Sequence, residues 1–495
     1  MAQANIETER AYDVPSGAGL PELGLAANCT WGPEAVDELV ATYVDTADLR
    51  LVRQSITLRR RTGGTDDGWH LKLPAGGDDR NEIHRALGRT TRVPASITRL
   101  LPAATAGAQL APILELRTRR TRRSLLGADG AERAVIADDH VTATSVEAPE
   151  RSTGWRELEI EVVGGDPVVF DDLEPLLEKA GIRRSATQSK LRHALDTLGM
   201  MPRPAVVPSK SAGTVVQQYL AEQYGAFVLA DVQVRALDAS VHDLRVSARR
   251  LRTAVAVYRP LLEAAPARHL QAELKWLGRQ LGDLRDLEVA AELLTEAIGA
   301  ETTRGAVAAR TVVRRRLSDA TRQAEAAVKH AMGSARYVEL LAELERRVSD
   351  PPWTGKSGTR ATKAIPKRAL RARRRLARTV AASELVSGDD ELKALHDVRK
   401  AAKRVRYAHD LAAPVMDDAA DVAEAAKSTQ SALGDQLDSV RAQDWLAAVA
   451  RDVDVAGATF VLGRMHAQQE QSARAARTAY RQSLETYQDL VGDAP

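Results

Sequence analysis

The sequence predicts an α+β N-terminal domain built on antiparallel strands, followed by an all-α domain of two pseudo-repeated helical bundles. Three observations carry this. Up to about residue 200, short stretches alternate in side-chain type between Gly-Gly, Asp-Asp and Pro turns, which is strand patterning. Beyond that, apolar residues recur three and four apart among many Ala, Leu, Arg and Glu, which is helix patterning. Within the helical part, two basic motifs and two Leu-Gly-Asp motifs recur in the same order, as an internal duplication would leave them.

Strands are expected at Ser55–Arg61, Trp69–Leu73, Ile113–Arg120, Ala134–Ile136, His140–Ser145 and Arg156–Val163. Helices are expected at Pro33–Leu39, Ile97–Leu101 and Leu173–Ala180. So many strands suggest an antiparallel sheet or barrel. The stretch MPRPAVVPSKSAG, residues 201–213, reads as a linker between domains at 1–200 and 214–495. A second break at Ser349–Gly358 divides the helical domain into repeats at about 214–348 and 359–490. Few aromatic and many small residues suit close helix packing.

With 495 residues the chain is too long for one ordinary core. Its 44% hydrophobic and 28% charged residues fit a folded globular protein. No apolar run approaches the roughly 18 residues that span a bilayer, so no membrane partner is expected. The opening MAQANIETER lacks an apolar signal core, and Cys29 is the single cysteine, so a cytoplasmic location is the expectation. Charge is uneven. Residues 1–200 carry 25 Lys and Arg against 30 Asp and Glu, whereas the remainder carries 45 against 37. The helical domain therefore has the better electrostatic case for an anionic polymer.

Two apart on a strand, Glu7 and Glu9 share a face, and Glu157, Glu159 and Glu161 repeat the pattern. Rows of acids inside a barrel repel unless cations are present, and hard divalent ions such as Mg²⁺ or Mn²⁺ suit such oxygen ligands. Arg59 and Arg61 share a face, as do Arg117 and Arg119, with Arg120 and Arg122 on the opposite one. Lys72 and Lys190 add single cations. Each pair alone is what a half-exposed strand shows to solvent. Together, acids on one wall and bases on another match a metal–polyphosphate ligand. Leu58, Leu71, Leu116, Leu158 and Ile160 would then face outward, under helices.

The ordered set resembles the CYTH family, the triphosphate tunnel metalloenzymes, over about residues 1–200. The carrying elements are Glu7-Thr8-Glu9-Arg10, YVDTADLRL at 43–51, ITLRRR, WHLKLP, Arg80 with Glu82, LELRTRR, AVIADDHV, ELEIE and Ser189-Lys190. The resemblance implies an eight-stranded antiparallel β tunnel that grips a triphosphate and hydrolyses it with divalent metal. Members act on inorganic triphosphate, thiamine triphosphate or nucleoside triphosphates, and some are adenylate cyclases. It implies metal binding by Glu7, Glu9, Glu159 and Glu161, with Asp139 assisting, and phosphate binding by Arg59, Arg61, Lys72, Arg117, Arg119 and Lys190. Ala11 stands where the family opening Glu-x-Glu-x-Lys has lysine, and Arg10 faces the other way. That departure leaves open a metal-dependent triphosphatase or a binding module.

In the helical part His242, Arg245, Arg249 and Arg252 form one stripe beside the apolar stripe of Val241, Leu244, Ala248 and Leu251. His396, Arg399, Lys403 and Arg406 keep the same phase beside Leu395, Val398, Ala402 and Val405. Lys367, Arg371, Arg374 and Arg378 form a third stripe, with Pro366 expected in the first turn. The segments VHDLRVSARRLR, LGDLRDLEVA, LHDVRKAAKRVRY and LGDQLD resemble the CHAD family over about 214–490. That resemblance implies two pseudo-symmetric bundles around a basic cleft that binds inorganic polyphosphate, and an association with polyphosphate granules. His242 and His396 are phosphate contacts or packing histidines, because no paired acids or thiols accompany them. The alternative is a catalytically inactive polyanion or nucleic-acid binding protein. Against nucleic acid stand the 4% aromatic content and the scarcity of stacking residues near the stripes, Tyr258 and Tyr407 excepted.

Overall fold

A computed structural model describes residues 4–15, 17–23, 29–163, 168–187, 189–201, 210–299, 301–453 and 455–492. The side chains of residues 4–7 and 389 are outside that description, as is most of the expected linker. The chain divides into two units, 1–204 with 231–239, and 205–230 with 240–495.

In the first unit the elements run β1 (Ala4–Asp13), β2 (Thr30–Asp45), α1 (Arg50–Arg53), β3 (Thr57–Thr62), β4 (Gly68–Gly76) and β5 (Asp79–Arg85). Then follow α2 (Ala95–Thr98), α3 (Pro102–Thr105), β6 (Ala111–Leu126), β7 (Glu132–Ser145) and β8 (Ser152–Val162). The unit ends with α4 (Val168–Lys179), β9 (Arg183–Arg184) and α5 (Lys190–Thr197). Strand order is β5-β4-β3-β2-β6-β7-β8-β1-β9, and β5 pairs with β1. The eight strands β1–β8 thus form a closed antiparallel barrel, as expected.

Pro33–Leu39 is not a helix. It lies inside β2, paired with β6 from Glu34↔Arg123 to Leu39↔Thr118 after a register shift between Trp31 and Glu34. The Glu and Ala content favours helix locally, but cross-strand pairing wins: Asp37 takes the Arg122 guanidinium at 2.9 Å. The expected Ala134–Ile136 and His140–Ser145 strands are one strand, β7.

Leu158 and Ile160 face outward and are fully buried with Phe170, Leu173 and Leu177 of α4. Arg10 also lies outside, its guanidinium 4.0 Å from the Phe170 ring centre and paired with Asp78 and Glu174 at 2.9 Å each. Leu116 departs from expectation. It sits opposite Ala41, and with Leu114, Tyr43 and Ala143 it meets Leu191, Ala194 and Leu195 of α5. One end of the barrel interior is therefore an apolar plug.

The second unit comprises α6 (Ala212–Leu237) up to Ala230, α7 (His242–Val257), α8 (Ala264–Gln280), α9 (Gly282–Gly299), α10 (Ala306–Met332) and α11 (Ala335–Ser349). The second half comprises α12 (Ala361–Glu384), α13 (Glu391–Ala412), α14 (Ala419–Ala450) and α15 (Ala456–Val491). The starts of α6 and α12 are tied by a two-residue bridge, Ala212 N–H to the Thr359 carbonyl and Ala361 N–H to the Lys210 carbonyl, both 2.8 Å. The α7 and α13 helices pack together: Tyr258 donates to the Ala408 carbonyl at 2.9 Å. Pro366 lies inside α12 rather than in its first turn, because the helix already starts at Ala361.

Truncating Phe170 to Ala removes the fully buried ring between α4 and the outer face of β1 and β8. The expected cost to the barrel unit is about 3–5 kcal/mol, read as a lower urea midpoint for loss of the β-sheet signal with the helical signal retained.

Candidate functional site

The pleat of the closed barrel points alternate residues inward, and the register identifies which ones. Glu9 is opposite Glu161, Ala11 opposite Glu159, and Asp139 opposite Glu157. Arg59 is opposite Tyr43, Lys72 opposite Glu82, and Arg120 opposite Asp139. These inward rows line a cavity of about 240 Å³. Glu9, Arg59, Arg61, Lys72, Glu159 and Glu161 all face it, and Lys190 enters from α5.

Ser189 caps α5, accepting from the Arg192 N–H at 3.4 Å, so Lys190 is the first helical residue. An ammonium there opposes the helix dipole. Three carboxylates offset this: Lys190 Nζ is 3.0 Å from Asp139 and 2.5 Å from Glu157, and it also contacts Glu159. Arg120 forks onto Asp139 at 2.8 and 2.6 Å and reaches Glu159 as well. Burial raises the pKa of Glu159, but Lys190 and Arg120 outweigh it and hold the carboxyl well below the usual range. Burial lowers the pKa of Lys190, but Glu157, Glu159 and Asp139 outweigh it and raise the value above its usual one.

The basic wall is satisfied in part: Arg61 pairs with Asp66, and Arg59 donates to the Tyr43 hydroxyl at 3.4 Å. Burial, with Arg59 and Arg120 nearby, pulls Arg61 down to about 10. The Nε groups of Arg59 and Arg61 are buried without an acceptor. A buried donor without a partner costs about 1–3 kcal/mol, which an oxyanion in the cavity would relieve.

Arg117 and Arg119 are not in the tunnel. Their side chains are 69% and 67% exposed, beside Glu115 and Glu38. Register decides this: Arg119 stands opposite the exposed His140, whereas Arg120 and Arg122 stand opposite the inward Asp139 and Ala137. A run of arginines holds both parities, so only the pairing with Asp139 selects the inward set. Sequence reasoning also left out Glu157, which its place in the Glu157, Glu159, Glu161 row could have revealed. The Asp45-Thr46 pair of YVDTADLRL is scaffold: the Asp45 carboxylate accepts from the N–H groups of Leu51 and Val52 at 2.9 and 3.0 Å.

A divalent cation needs converging oxygen ligands. Asp139, Glu157 and Glu159 lie close enough to share one. Asp139 and Glu159 are, however, both engaged by Arg120 and Lys190. Glu9 and Glu161 fit a hard divalent ion better. They face each other across two strands, Glu161 has no ion pair among the described residues, and its pKa is raised by burial and by Glu9. Glu7 lies on β1 with its side chain outside the described residues.

In the helical unit, Arg245 pairs with Asp286 at 3.3 Å and Arg399 with Asp438 at 4.0 Å. The basic and Leu-Gly-Asp motifs thus meet in both halves. The glycine matters at Gly434, where an added Cβ would fall 2.6 Å from the Arg399 guanidinium. Arg249, Arg399 and Lys403 crowd together. Burial, then Arg249, Arg399 and Arg245, pull Lys403 down to about 6. His242 and His396 are both lowered, by burial first and by neighbouring cations second. Arg252 is lowered by burial and Arg249, and Arg406 donates to Gln430 at 3.3 Å. Arg371 and Arg378 line a different cleft, with Arg259 and Arg375, while Arg374 is exposed. No helix among the described residues is long and apolar enough to cross a membrane.

Substituting Lys190 with Met strands the carboxylates around it. The depressed Glu159 pKa contributes stability above the ordinary glutamate value and loses it as pH falls below that value. The melting-temperature deficit of the Lys190→Met variant is therefore expected to be largest near pH 7 and to shrink toward pH 3. A pH-independent deficit would contradict the assignment.

Comparison with known proteins agrees with the two units. A CYTH domain model matches residues 5–195 and a CHAD domain model matches residues 218–447. A Mycobacterium tuberculosis protein described only as uncharacterized is 32% identical over 99% of this chain and 98% of its own. Among solved structures, PptA from Streptomyces chartreusis shares 26% identity at a TM-score of 0.49, over 56% of this chain and 99% of that one. The CHAD domain from the plant Ricinus communis shares 24% at 0.42, over 56% and 95%. The chain belongs to the family in which a CYTH domain is followed by a CHAD domain.

Proposed function

We propose that the barrel binds a triphosphate and hydrolyses it with Mg²⁺ or Mn²⁺, and that the helical unit binds inorganic polyphosphate. Phosphate-chain handling in general is what the two domains have in common. One observation carries the finer reading: the buried, acceptorless Nε groups of Arg59 and Arg61 face Glu9 and Glu161 across a single cavity.

In this reading Arg59, Arg61 and Lys72 hold phosphate oxygens and stabilise charge that develops on them. Arg120 and Lys190 are held by Asp139, Glu157 and Glu159 at the acidic wall. What a divalent ion at Glu9 and Glu161 supplies is neutralisation of phosphate oxygens. Phosphoryl transfer needs positioning and electrostatics rather than a nucleophilic side chain, so water is the attacker. Ala11 favours a second reading, binding without turnover, because it leaves its wall short of one amine. Lys190 supports turnover: its Nζ contacts Glu159, the residue opposite Ala11.

For the helical unit, the crowding of Arg249, Arg399 and Lys403 supports a dense polyanion. Tyr258 and Tyr407 are 0% and 1% exposed, so neither offers a ring for base stacking. The protein would then work in the cytoplasm, with polyphosphate granules as the matching store.

Purified protein with tripolyphosphate and Mg²⁺ or Mn²⁺ is expected to release phosphate. Glu9→Gln with Glu161→Gln should abolish metal-dependent release while polyphosphate retention survives, and Arg59→Ala should lower kcat/KM by about 10²–10³. No release from any triphosphate would leave binding alone. Polyphosphate binding should also take up a proton near Lys403 between pH 7 and 8, because the anion favours its charged form. Affinity then rises as pH falls toward 6. Calorimetry in buffers of different ionisation enthalpy reads the uptake, and zero uptake would remove Lys403 from the site.

A further inference from the structure

The two repeats match residue for residue along α7 and α13: His242 with His396, Arg250 with Arg404, Pro260 with Pro414. The α7–α13 pair therefore has two corresponding flanks. One flank carries Val246 and Arg250 of α7 with Tyr407 and Asp410 of α13. The other carries their counterparts, Lys400 and Arg404 of α13 with Thr253 and Ala256 of α7.

On the first flank the arginine is accompanied by an acid. Arg250 lies 3.7 Å from Asp410, 3.4 Å from the Gln223 amide oxygen, and 5.4 Å from the centre of the buried Tyr407 ring. On the second flank Thr253 and Ala256 leave that space empty and remove the acid. A cleft of about 620 Å³ opens there, lined by Arg252, Lys275, Arg375, Lys400 and Arg404. Its single acid, Asp397, is held by Lys400 at 3.0 Å. Among the described residues, Arg252, Lys275 and Arg375 have no carboxylate partner. Arg404 reaches only the Ala256 carbonyl, at 3.5 Å. Burial, then Arg375 and Arg259, hold its pKa down. The cleft that contains Arg259, Arg371 and Arg378 shares Ala256, Arg375 and Arg404 with this one, so the basic surface is continuous.

We infer that this flank is an anion site of its own, and that its ligand is a segment of linear oligophosphate. The lining has guanidinium forks and ammonium groups but no aromatic ring, so it recognises dense negative charge and offers nothing to a base or an acyl chain. Two clefts joined at Arg375 and Arg404 suit a chain better than a single phosphate. The inference rests on the phosphate chemistry proposed for the helical unit, yet Arg252 is the only residue it shares with the α7 and α13 stripes. Divergence after duplication supplies the asymmetry: a tyrosine and an aspartate stand beside the arginine in one copy, and a threonine and an alanine take their places in the other.

The test uses the full chain in EDTA, so that nothing turns over, with tripolyphosphate and long-chain polyphosphate as probes in equilibrium dialysis. Ala256→Asp installs the acid of the first flank beside Arg404, and Arg375→Gln with Arg404→Gln removes two forks. Each is expected to lose one bound tripolyphosphate per chain and to weaken long-chain binding by about tenfold or more. Arg249→Gln with Arg399→Gln in the stripe should keep that tripolyphosphate. Full binding by both flank variants, folded by circular dichroism and melting, overturns the flank site even if the stripe variant loses polyphosphate. Loss in the flank variants alone supports the flank site and removes the stripe from the polyphosphate reading. Displacement by orthophosphate at equal phosphate concentration overturns the oligophosphate assignment.

Discussion

Closure of the barrel through β1 and β5 commits every second residue of eight strands to one small interior. Charges placed there meet a low dielectric, and each must find a counter-charge within a few ångströms. The helix α5 manages this at the acidic wall. Its apolar face, Leu191, Ala194 and Leu195, fills one end of the barrel, and its first residue carries an ammonium to Asp139, Glu157 and Glu159. Plug and counter-charge are the same element, so the packing of α5 sets the electrostatics of the site. At the basic wall Arg61 meets Asp66 and Arg59 meets the Tyr43 hydroxyl, yet both Nε groups stay buried without an acceptor.

The helical unit solves a similar problem by repetition. In each half an arginine of the basic helix leans on the Leu-Gly-Asp helix, Arg245 on Asp286 and Arg399 on Asp438. In the second half Gly434 makes room for the Arg399 guanidinium beside the helix. Facing copies then bring cations together, and Lys403 loses much of its affinity for a proton, first through burial and then through Arg249 and Arg399. Asp286 and Asp438 balance only part of this charge, which would suit an external polyanion.

Much of this was readable in the residues. Glu-x-Glu rows and Arg-x-Arg pairs announced strands with charged faces, and Leu158 and Ile160 were legible as an outer apolar face under a helix. The basic stripes were legible because their phase against Leu244 and Val398 is kept in both repeats. Pro33–Leu39 was not, since its Glu and Ala content favours a helix while its partners, including Arg119, Arg120 and Arg122, lie some eighty residues away in sequence. Leu116 was misassigned outward for a related reason: its neighbours in the plug come from α5, beyond any local pattern.

By itself the sequence determined the strand and helix periods, the duplication, and the supply of acids and bases to each unit, because these depend on near neighbours. Tertiary structure alone decided that Arg120 and Arg122 rather than Arg117 and Arg119 face the interior. It likewise decided that Lys190 joins three carboxylates and that a basic cleft opens beside Thr253 and Ala256. The physical reason is common to all three. Which side a residue faces is set by register and packing between distant segments, and a one-residue shift in pairing exchanges inside for outside.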